Sequence, residues 1–188
     1  MRKIINSTYI TLDGVIQNPQ DWPSMGGFSD AGNQVQIELL NQCDAVLMGR
    51  HTYDMFAPVW PVMPSNPLSD RMNALPKYVV SSTLSDPDWN NTTIINNDPI
   101  GALRTLKQQP GADIVQYGFG PLSRALLAEG LLDELRLWVH PFLLGTGTPE
   151  DLLYRPGSSG VFTLVDSTTL PSGIVILTLA AKSAEDTP

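Results

Sequence analysis

The sequence is short of cysteine, basic residues and long apolar runs. Its 188 residues include one cysteine, Cys43, so neither an internal disulfide nor a cysteine-based metal cluster can form. With 11 Lys and Arg against 19 Asp and Glu, the net charge is −8, which disfavours binding to nucleic acid and anionic membranes. No segment approaches the roughly 20 apolar residues of a membrane span, and the N-terminus lacks a signal-peptide pattern. These absences predict a cytoplasmic protein that binds neither nucleic acid nor membrane.

Histidine is scarce as well. The two histidines, His51 and His140, do not make a convincing metal site by themselves, and no serine nucleophile motif is present. The sequence therefore predicts neither a metal site nor a hydrolase. His140, followed by Pro141, is interpreted as structural or interfacial.

What is present is a packed domain in which strands alternate with helices. Apolar residues make up 42% and charged residues 16%, which indicates one domain over residues 1–182 with a disordered tail at 183–188. Strands are predicted at 3–10, 45–48, 78–80, 92–95, 113–117, 134–144, 161–165 and 173–180. Helices are predicted from Ser29 or Asp30 to 42, from 51 to before Pro58, and at 68–75, 99–109 and 121–129. This order predicts a three-layer α/β/α fold with a mostly parallel central sheet and an antiparallel C-terminal hairpin.

Three predicted strand ends carry residues suited to anions or sugars. Gly49, Arg50 and Thr52 follow one strand and open a helix, where free N–H groups favour anions. A hydroxyl cluster at 81–83 follows the next strand, and a Gly-Phe-Gly turn at 118–120 precedes another helix. Ligands bind at the carboxyl ends of parallel strands, so the three ends together indicate a dinucleotide site. The alternatives are polar turns and a surface ion pair between Arg50 and Asp54.

The run at 46–53, VLMGRHTY, resembles the strand-turn-helix signature of dihydrofolate reductases. The motifs TLDGV at 11–15, LPKYVVS at 75–81, GLLDELR at 130–136, VHP at 139–141 and LGTG at 144–147 extend the similarity over about residues 2–180. Together they resemble the bacterial dihydrofolate reductase family proteins of the riboflavin-biosynthesis reductase domain type.

The resemblance implies that the chain binds NADPH. The implied cofactor residues are Met48, Gly49, Arg50, Thr52, Ser81, Ser82, Thr83, Gly118, Phe119, Gly120, Pro121 and Leu122. Within this set the loop after Met48 would bind phosphate, the hydroxyl cluster the adenosine end, and residues 118–122 the pyrophosphate. Two departures from the family pattern are a hydroxyl cluster without Arg or Lys, and Phe119 where relatives more often have a small residue.

Candidate substrate residues lie in the loops near the first strand and the second helix. A pterin- or pyrimidine-like ring would be held by a carboxylate, and Asp13 is the first candidate for this catalytic role. Asp13-Gly14 is equally a favourable turn, and Asp30, the second candidate, is equally a helix cap. Loop aromatics could form an apolar wall for a heterocycle, or cover a core or a dimer surface. The predicted substrate-binding set is Asp13, Trp22, Phe28, Asp30 and Trp60.

The function expected from these features is an NADPH-dependent reductase that transfers hydride to a small heterocyclic or carbonyl substrate. The alternative is a non-catalytic protein that binds a dinucleotide or small ligand on the same fold. Trp138 and the C-terminal hairpin offer apolar area for a second copy, so a homodimer is expected.

Overall fold

The computed structural model of the protein describes residues 1–23, 29–156 and 159–182. In this part of the chain eight strands form one sheet: β1 Ile4–Thr11, β2 Cys43–Gly49, β3 Lys77–Val80, β4 Thr92–Ile95, β5 Asp113–Tyr117, β6 Glu134–His140, β7 Phe162–Thr169 and β8 Val175–Ala181. Five α-helices accompany these strands in the described residues: α1 Asp30–Gln42, α2 Arg50–Phe56, α3 Pro67–Ala74, α4 Pro99–Gln108 and α5 Pro121–Ala128. The predicted tail at 183–188 lies outside the described residues.

The strand order is β4-β3-β2-β5-β1-β6-β8-β7. Strands β1 to β6 pair in parallel, whereas β8 runs antiparallel to both β6 and β7. The predicted fold class, a mostly parallel sheet that ends in an antiparallel hairpin, is confirmed. Because β2 lies between β3 and β5, the carboxyl ends of these three strands are neighbours.

Helices cover the sheet on both faces because successive strand residues point to opposite sides. In β2, Val46 and Met48 belong to one buried cluster, together with Leu39 of α1 and Met72 of α3. The intervening Leu47 belongs to a second cluster on the other face, with Leu103 and Leu106 of α4 and Leu126 of α5. Residues 45–48 of β2 are therefore all apolar, as expected where a strand is covered on both faces.

Side chains at the helix starts explain several boundaries. The Ser29 hydroxyl accepts a hydrogen bond from the N–H of Gly32 at 3.3 Å, so Ser29 rather than Asp30 caps α1. The Asp98 carboxylate accepts from the N–H of Gly101 at 3.1 Å and caps α4, and Pro99, which has no N–H to satisfy, follows it.

The amino end of the sheet is held by an ion pair between a buried lysine and a partly exposed aspartate. Lys107 of α4, only 3% exposed, donates to the Asp133 carboxylate and to the Leu131 carbonyl. The same carboxylate accepts the first N–H of β1, that of Ile4, at 2.7 Å. One acidic side chain thus connects α4, β1 and the segment that enters β6.

The C-terminal third of the chain differs from the sequence prediction. Strand β6 ends at His140 rather than at residue 144, and β7 extends to Thr169 rather than ending at 165. Trp138 has no exposed surface: it packs in a cluster with Leu170, Ile174 and Ile176, beneath α1. The expectation that Trp138 offers apolar area to a partner is therefore wrong, because this face of β6 is already covered.

Among the described residues, no helix is both long and apolar enough to cross a membrane.

Replacing Lys107 by Ala is expected to lower the free energy of unfolding by about 2–3 kcal/mol, because it leaves the Asp133 carboxylate without its cation. The matched control is Arg104→Ala, also on α4. Its side chain is 49% exposed in a pair with Glu129, and its loss is expected to cost less than about 1 kcal/mol. Urea unfolding followed by circular dichroism measures both values. Equal losses of unfolding free energy in the two variants would contradict the stabilising role of the pair between Lys107 and Asp133.

Candidate active site

The loops after β2 and β3 are joined by Arg50, the first residue of α2. Its Nη1 donates to the Thr83 hydroxyl at 3.2 Å, and its Nε lies 2.7 and 2.8 Å from the two carboxylate oxygens of Asp54. Arg50 therefore forms the surface ion pair that the sequence offered as an alternative, and also contacts the hydroxyl cluster. Both interactions hold the guanidinium at the mouth of the crevice.

The loops after β2 and β5 are joined by Thr52 of α2. Its hydroxyl donates to the Tyr117 carbonyl at 3.4 Å. Gly118 has a φ of +76°, and a Cβ at this position would lie 2.6 Å from the Thr52 hydroxyl oxygen. Glycine is required at 118 both by its backbone conformation and by this close approach.

Gly49 and Gly120 lie on the same edge of the sheet but have no such structural reason to be glycine. Their φ angles, −84° and −121°, suit any residue. A Cβ on either would meet no atom of the described residues within 4 Å. The space above these two backbones is therefore open to a ligand.

An open groove of about 370 Å³ lies at the ends of β3 and β4. Arg50 and residues 81–83 form one side of this groove, and Asn96 and Pro99 the other. The Ser81 hydroxyl accepts from the N–H groups of Thr83 and Leu84, so Ser81 shapes the turn. Ser82 and Thr83 are exposed and can offer hydroxyls to a sugar or phosphate.

Three other members of the predicted cofactor set have side chains that pack in the core. Met48 is fully buried in the core and Phe119 is 7% exposed in the opposite core cluster, where Leu122 packs beside it. The phenyl ring of Phe119 therefore anchors the loop and does not stand over Gly118 and Gly120. Pro121, the first residue of α5, is exposed.

A buried polar network supports the Gly118 loop, and sequence analysis missed it. The Asn6 amide of β1 donates to the Gly118 carbonyl at 2.9 Å and to Gln116 Oε1 at 3.1 Å. The Ser123 hydroxyl of α5 donates to the same carbonyl at 3.0 Å and accepts from Gln116 Nε2 at 2.9 Å. The sequence pattern that could have predicted this network is the presence of polar residues at inward positions of two central strands and a helix.

Asp13, the predicted catalytic carboxylate, is engaged within the loops. One of its oxygens accepts from the Thr11 hydroxyl and from the N–H of Leu144, and the other from the N–H of Gly145 at 2.8 Å. These hydrogen bonds, that from Thr11 first, lower the pKa of Asp13 to about 2. The group is thus an anion at neutral pH that ties the end of β1 to the loop after β6, an arrangement that does not favour a proton donor.

The predicted substrate aromatics pack on different elements. Trp22 is buried and donates its indole N–H to the Gln17 carbonyl, with its ring 5.4 Å from that of His140. Trp60 packs edge to face against Phe56 of α2, with 5.9 Å between the ring centres. Phe28 lies outside the described residues. Asp30 is exposed in the first turn of α1.

His140 ends β6 among the rings of Tyr9, Trp22 and Phe142. It is 5% exposed, and neither ring nitrogen has a hydrogen-bond partner among the described residues. Burial lowers the pKa of the imidazole, which favours the neutral ring. These contacts agree with the structural interpretation of His140.

Solved structures with the same fold support the assignment of a fold class to this chain. A riboflavin biosynthesis protein of Shewanella sp. PV-4, described as putative, matches with a TM-score of 0.69 at 22% identity, over 96% of this chain and 99% of that one. RibD of Acinetobacter baumannii matches with a TM-score of 0.70 at 20% identity, over 97% of this chain and 59% of that one. The sheet order and strand-end crevice thus define an α/β protein of the dihydrofolate reductase-like type.

Sequence comparison identifies the family within that class. The model of the RibD C-terminal domain matches residues 2–176. The uncharacterized protein YyaP of Bacillus subtilis is 33% identical over 188 residues, which cover 93% of this chain and 92% of that protein. The chain therefore belongs to the RibD C-terminal domain family, and the resemblance noted in the sequence is confirmed.

Alanine substitutions at Gly118 and Gly120 test the different roles of the two glycines. Gly118 is required by the local structure, whereas Gly120 borders open space. Gly118→Ala is expected to cost about 1–3 kcal/mol of folding free energy, because it forces a positive φ and a contact with Thr52. Gly120→Ala is expected to cost roughly 0.5 kcal/mol or less, since only the helix cap changes. Thermal unfolding compares the two variants. Equal destabilisation would contradict the open space above Gly120.

Proposed function

We propose that this protein is an NADPH-dependent reductase of a small, pyrimidine-like heterocycle. The observation that carries the proposal is the convergence of three strand ends through Arg50 and Thr52, beside two glycines with open space above them. Membership of a reductase-domain family supports the same reaction class.

The residues present fit a dinucleotide phosphate. The backbones of Gly49 and Gly120 allow close approach of a pyrophosphate, and α5 presents free N–H groups at its first turn. Arg50, Ser82 and Thr83 offer a cation and two hydroxyls for the adenosine end. The cofactor, when bound, supplies the hydride. The chain's part is to fix its position and to keep water from the reacting atoms.

The substrate class rests on the relatives. One protein of this fold, from Corynebacterium diphtheriae, is described as pyrimidine reductase-like, with a TM-score of 0.67 at 16% identity. A flat heterocycle such as a pyrimidine or pterin, or a small carbonyl compound, is accordingly the first choice for a substrate screen.

One observation favours the alternative function, a non-catalytic protein that binds a dinucleotide or small ligand. Both oxygens of Asp13 are engaged by the loop, and its low pKa keeps it ionised. A reductase that needs a proton from the chain would have to take it from another group. Binding of the dinucleotide without turnover of any heterocycle would support this alternative.

The test is titration of the protein with NADPH, followed by quenching of its tryptophans and by nicotinamide emission. Arg50→Ala is expected to weaken binding by about 1.5–3 kcal/mol, the range for a hydrogen bond to a charged group. Arg104→Ala, which removes a cation from an exposed pair on α4, should leave the affinity unchanged. If the native protein binds neither NADPH nor NADH, the reductase proposal is overturned; equal affinities for native and Arg50→Ala protein would refute the site alone.

We infer further that two copies of the chain associate through the face of β6, β8 and β7 opposite Trp138. The register aligns Leu137, Val139, Val175, Leu177, Leu179, Leu164, Ser167 and Thr169 on this face, beside Leu135, which is buried in the core. None of these side chains is charged in a chain of net charge −8, so two such faces can meet without repulsion. Leu164, on the edge strand, is 57% exposed.

Light scattering at micromolar concentration is expected to give the mass of a dimer for the native chain. Leu164→Lys should yield a monomer, because it places a charge on the proposed contact face. Thr163→Lys is the control, since the neighbouring exposed residue of β7 points to the opposite side. A native monomer, or the same effect from both substitutions, would refute this interface.

A further inference from the structure

The charges around the groove at the ends of β3 and β4 are few. Among the described residues that line it, Arg50 is the only charged side chain; the others are apolar, hydroxyl or amide groups. Any preference for a phosphorylated sugar in this groove therefore depends on whether the charge of one guanidinium is available to the ligand or already paired.

That guanidinium is held by a carboxylate. Both oxygens of Asp54, one turn further along α2, lie within 2.8 Å of Arg50 Nε, while Nη1 is held by the Thr83 hydroxyl. The two side chains are 41% and 50% exposed, and Arg50 lines the groove, so a ligand there would meet a guanidinium already paired with a carboxylate. The pair brings the local charge close to zero at the point where a phosphate would need a cation.

We propose that Asp54 is a specificity-determining residue, whose carboxylate offsets Arg50 and reduces the preference of the groove for a 2′-phosphorylated dinucleotide. This inference rests on the proposed function, because it assumes that the adenosine end lies in this groove. The protein is therefore expected to prefer NADPH over NADH less strongly than it would if Arg50 had no carboxylate beside it.

A second acidic residue stands near the groove but is turned away. Asp98 precedes Pro99, and its carboxylate accepts the N–H of Gly101 as the cap of α4. Its carboxylate stays in that cap, so its effect on either dinucleotide is the same in the native chain and in a variant at position 54. The adjustable charge is therefore that of Asp54.

The physical basis of the discrimination is the charge of the ligand. A phosphate monoester carries about −1.5 to −2 charges near neutral pH, whereas the hydroxyl of NADH at the same position carries none. A carboxylate beside this position repels the first and leaves the second nearly unaffected. Removing the carboxylate should change the affinity for one dinucleotide only.

The test is Asp54→Asn, which keeps the shape and one acceptor oxygen for Arg50 while removing the charge. Its affinity for NADPH is expected to rise by roughly three- to ten-fold, with that for NADH unchanged within about two-fold. Adenosine 2′,5′-bisphosphate and adenosine 5′-monophosphate, titrated by calorimetry, give the same comparison without the nicotinamide. The gain should shrink as salt concentration rises.

Glu38→Gln is the matched control, since it removes one negative charge from an exposed position on α1. It should change neither affinity. Equal gains for NADPH and NADH in Asp54→Asn, or no gain for either, would overturn the assignment of Asp54 while leaving the proposed function intact. Absence of binding by every variant and by the native chain would instead overturn the proposed function, and the inference with it.

Discussion

The Gly118 carbonyl receives two hydrogen bonds in the core, and the geometry of the crevice depends on them. The Asn6 amide reaches it from β1 and the Ser123 hydroxyl from α5, while Gln116 joins the two donors. All three side chains are at most 1% exposed, so the loss of one partner leaves another buried polar group unsatisfied. A network with such a penalty fixes the loop after β5 more firmly than the apolar contacts around it do.

Short contacts fix the neighbouring loops, those after β2 and β3, relative to the loop after β5. Gly118 lies against Thr52, Thr52 is in the same turn of α2 as Arg50, and Arg50 contacts Thr83. Three loops that are far apart in sequence are thereby set relative to one another from the core outward. A ligand that spans them would find its contacts already in place, which reduces the entropy cost of binding.

Much of the fold could be predicted because its strands are short apolar runs with clear boundaries. Strands β4 and β5 were predicted to the residue, since Asn, Asp, Pro and Gly bracket them. The environment of Trp138 could not be predicted, because alternation in β6 separates two faces without showing which one a helix covers. The network of Asn6, Gln116 and Ser123 also escaped prediction, since its three residues become neighbours only through the pairing of β1 with β5. The residue types of the three strand-end loops could be read from the sequence, whereas the contacts of Arg50, which decide how these loops are arranged, could not.

The carboxylates of Asp13 and Asp54 differ in what holds them. Asp13 accepts from backbone N–H groups and a hydroxyl, which stabilise its charge without cancelling a cation, and its low pKa follows. Asp54 is held by a cation, and so it changes the charge that a ligand meets. The chain has a net charge of −8, and one guanidinium lines the groove. A single acidic side chain beside it is therefore enough to alter the relative affinities of the groove for different anions. Anion selectivity on this fold can therefore change by substitution on the surface of α2, without any change in the core that positions the loops.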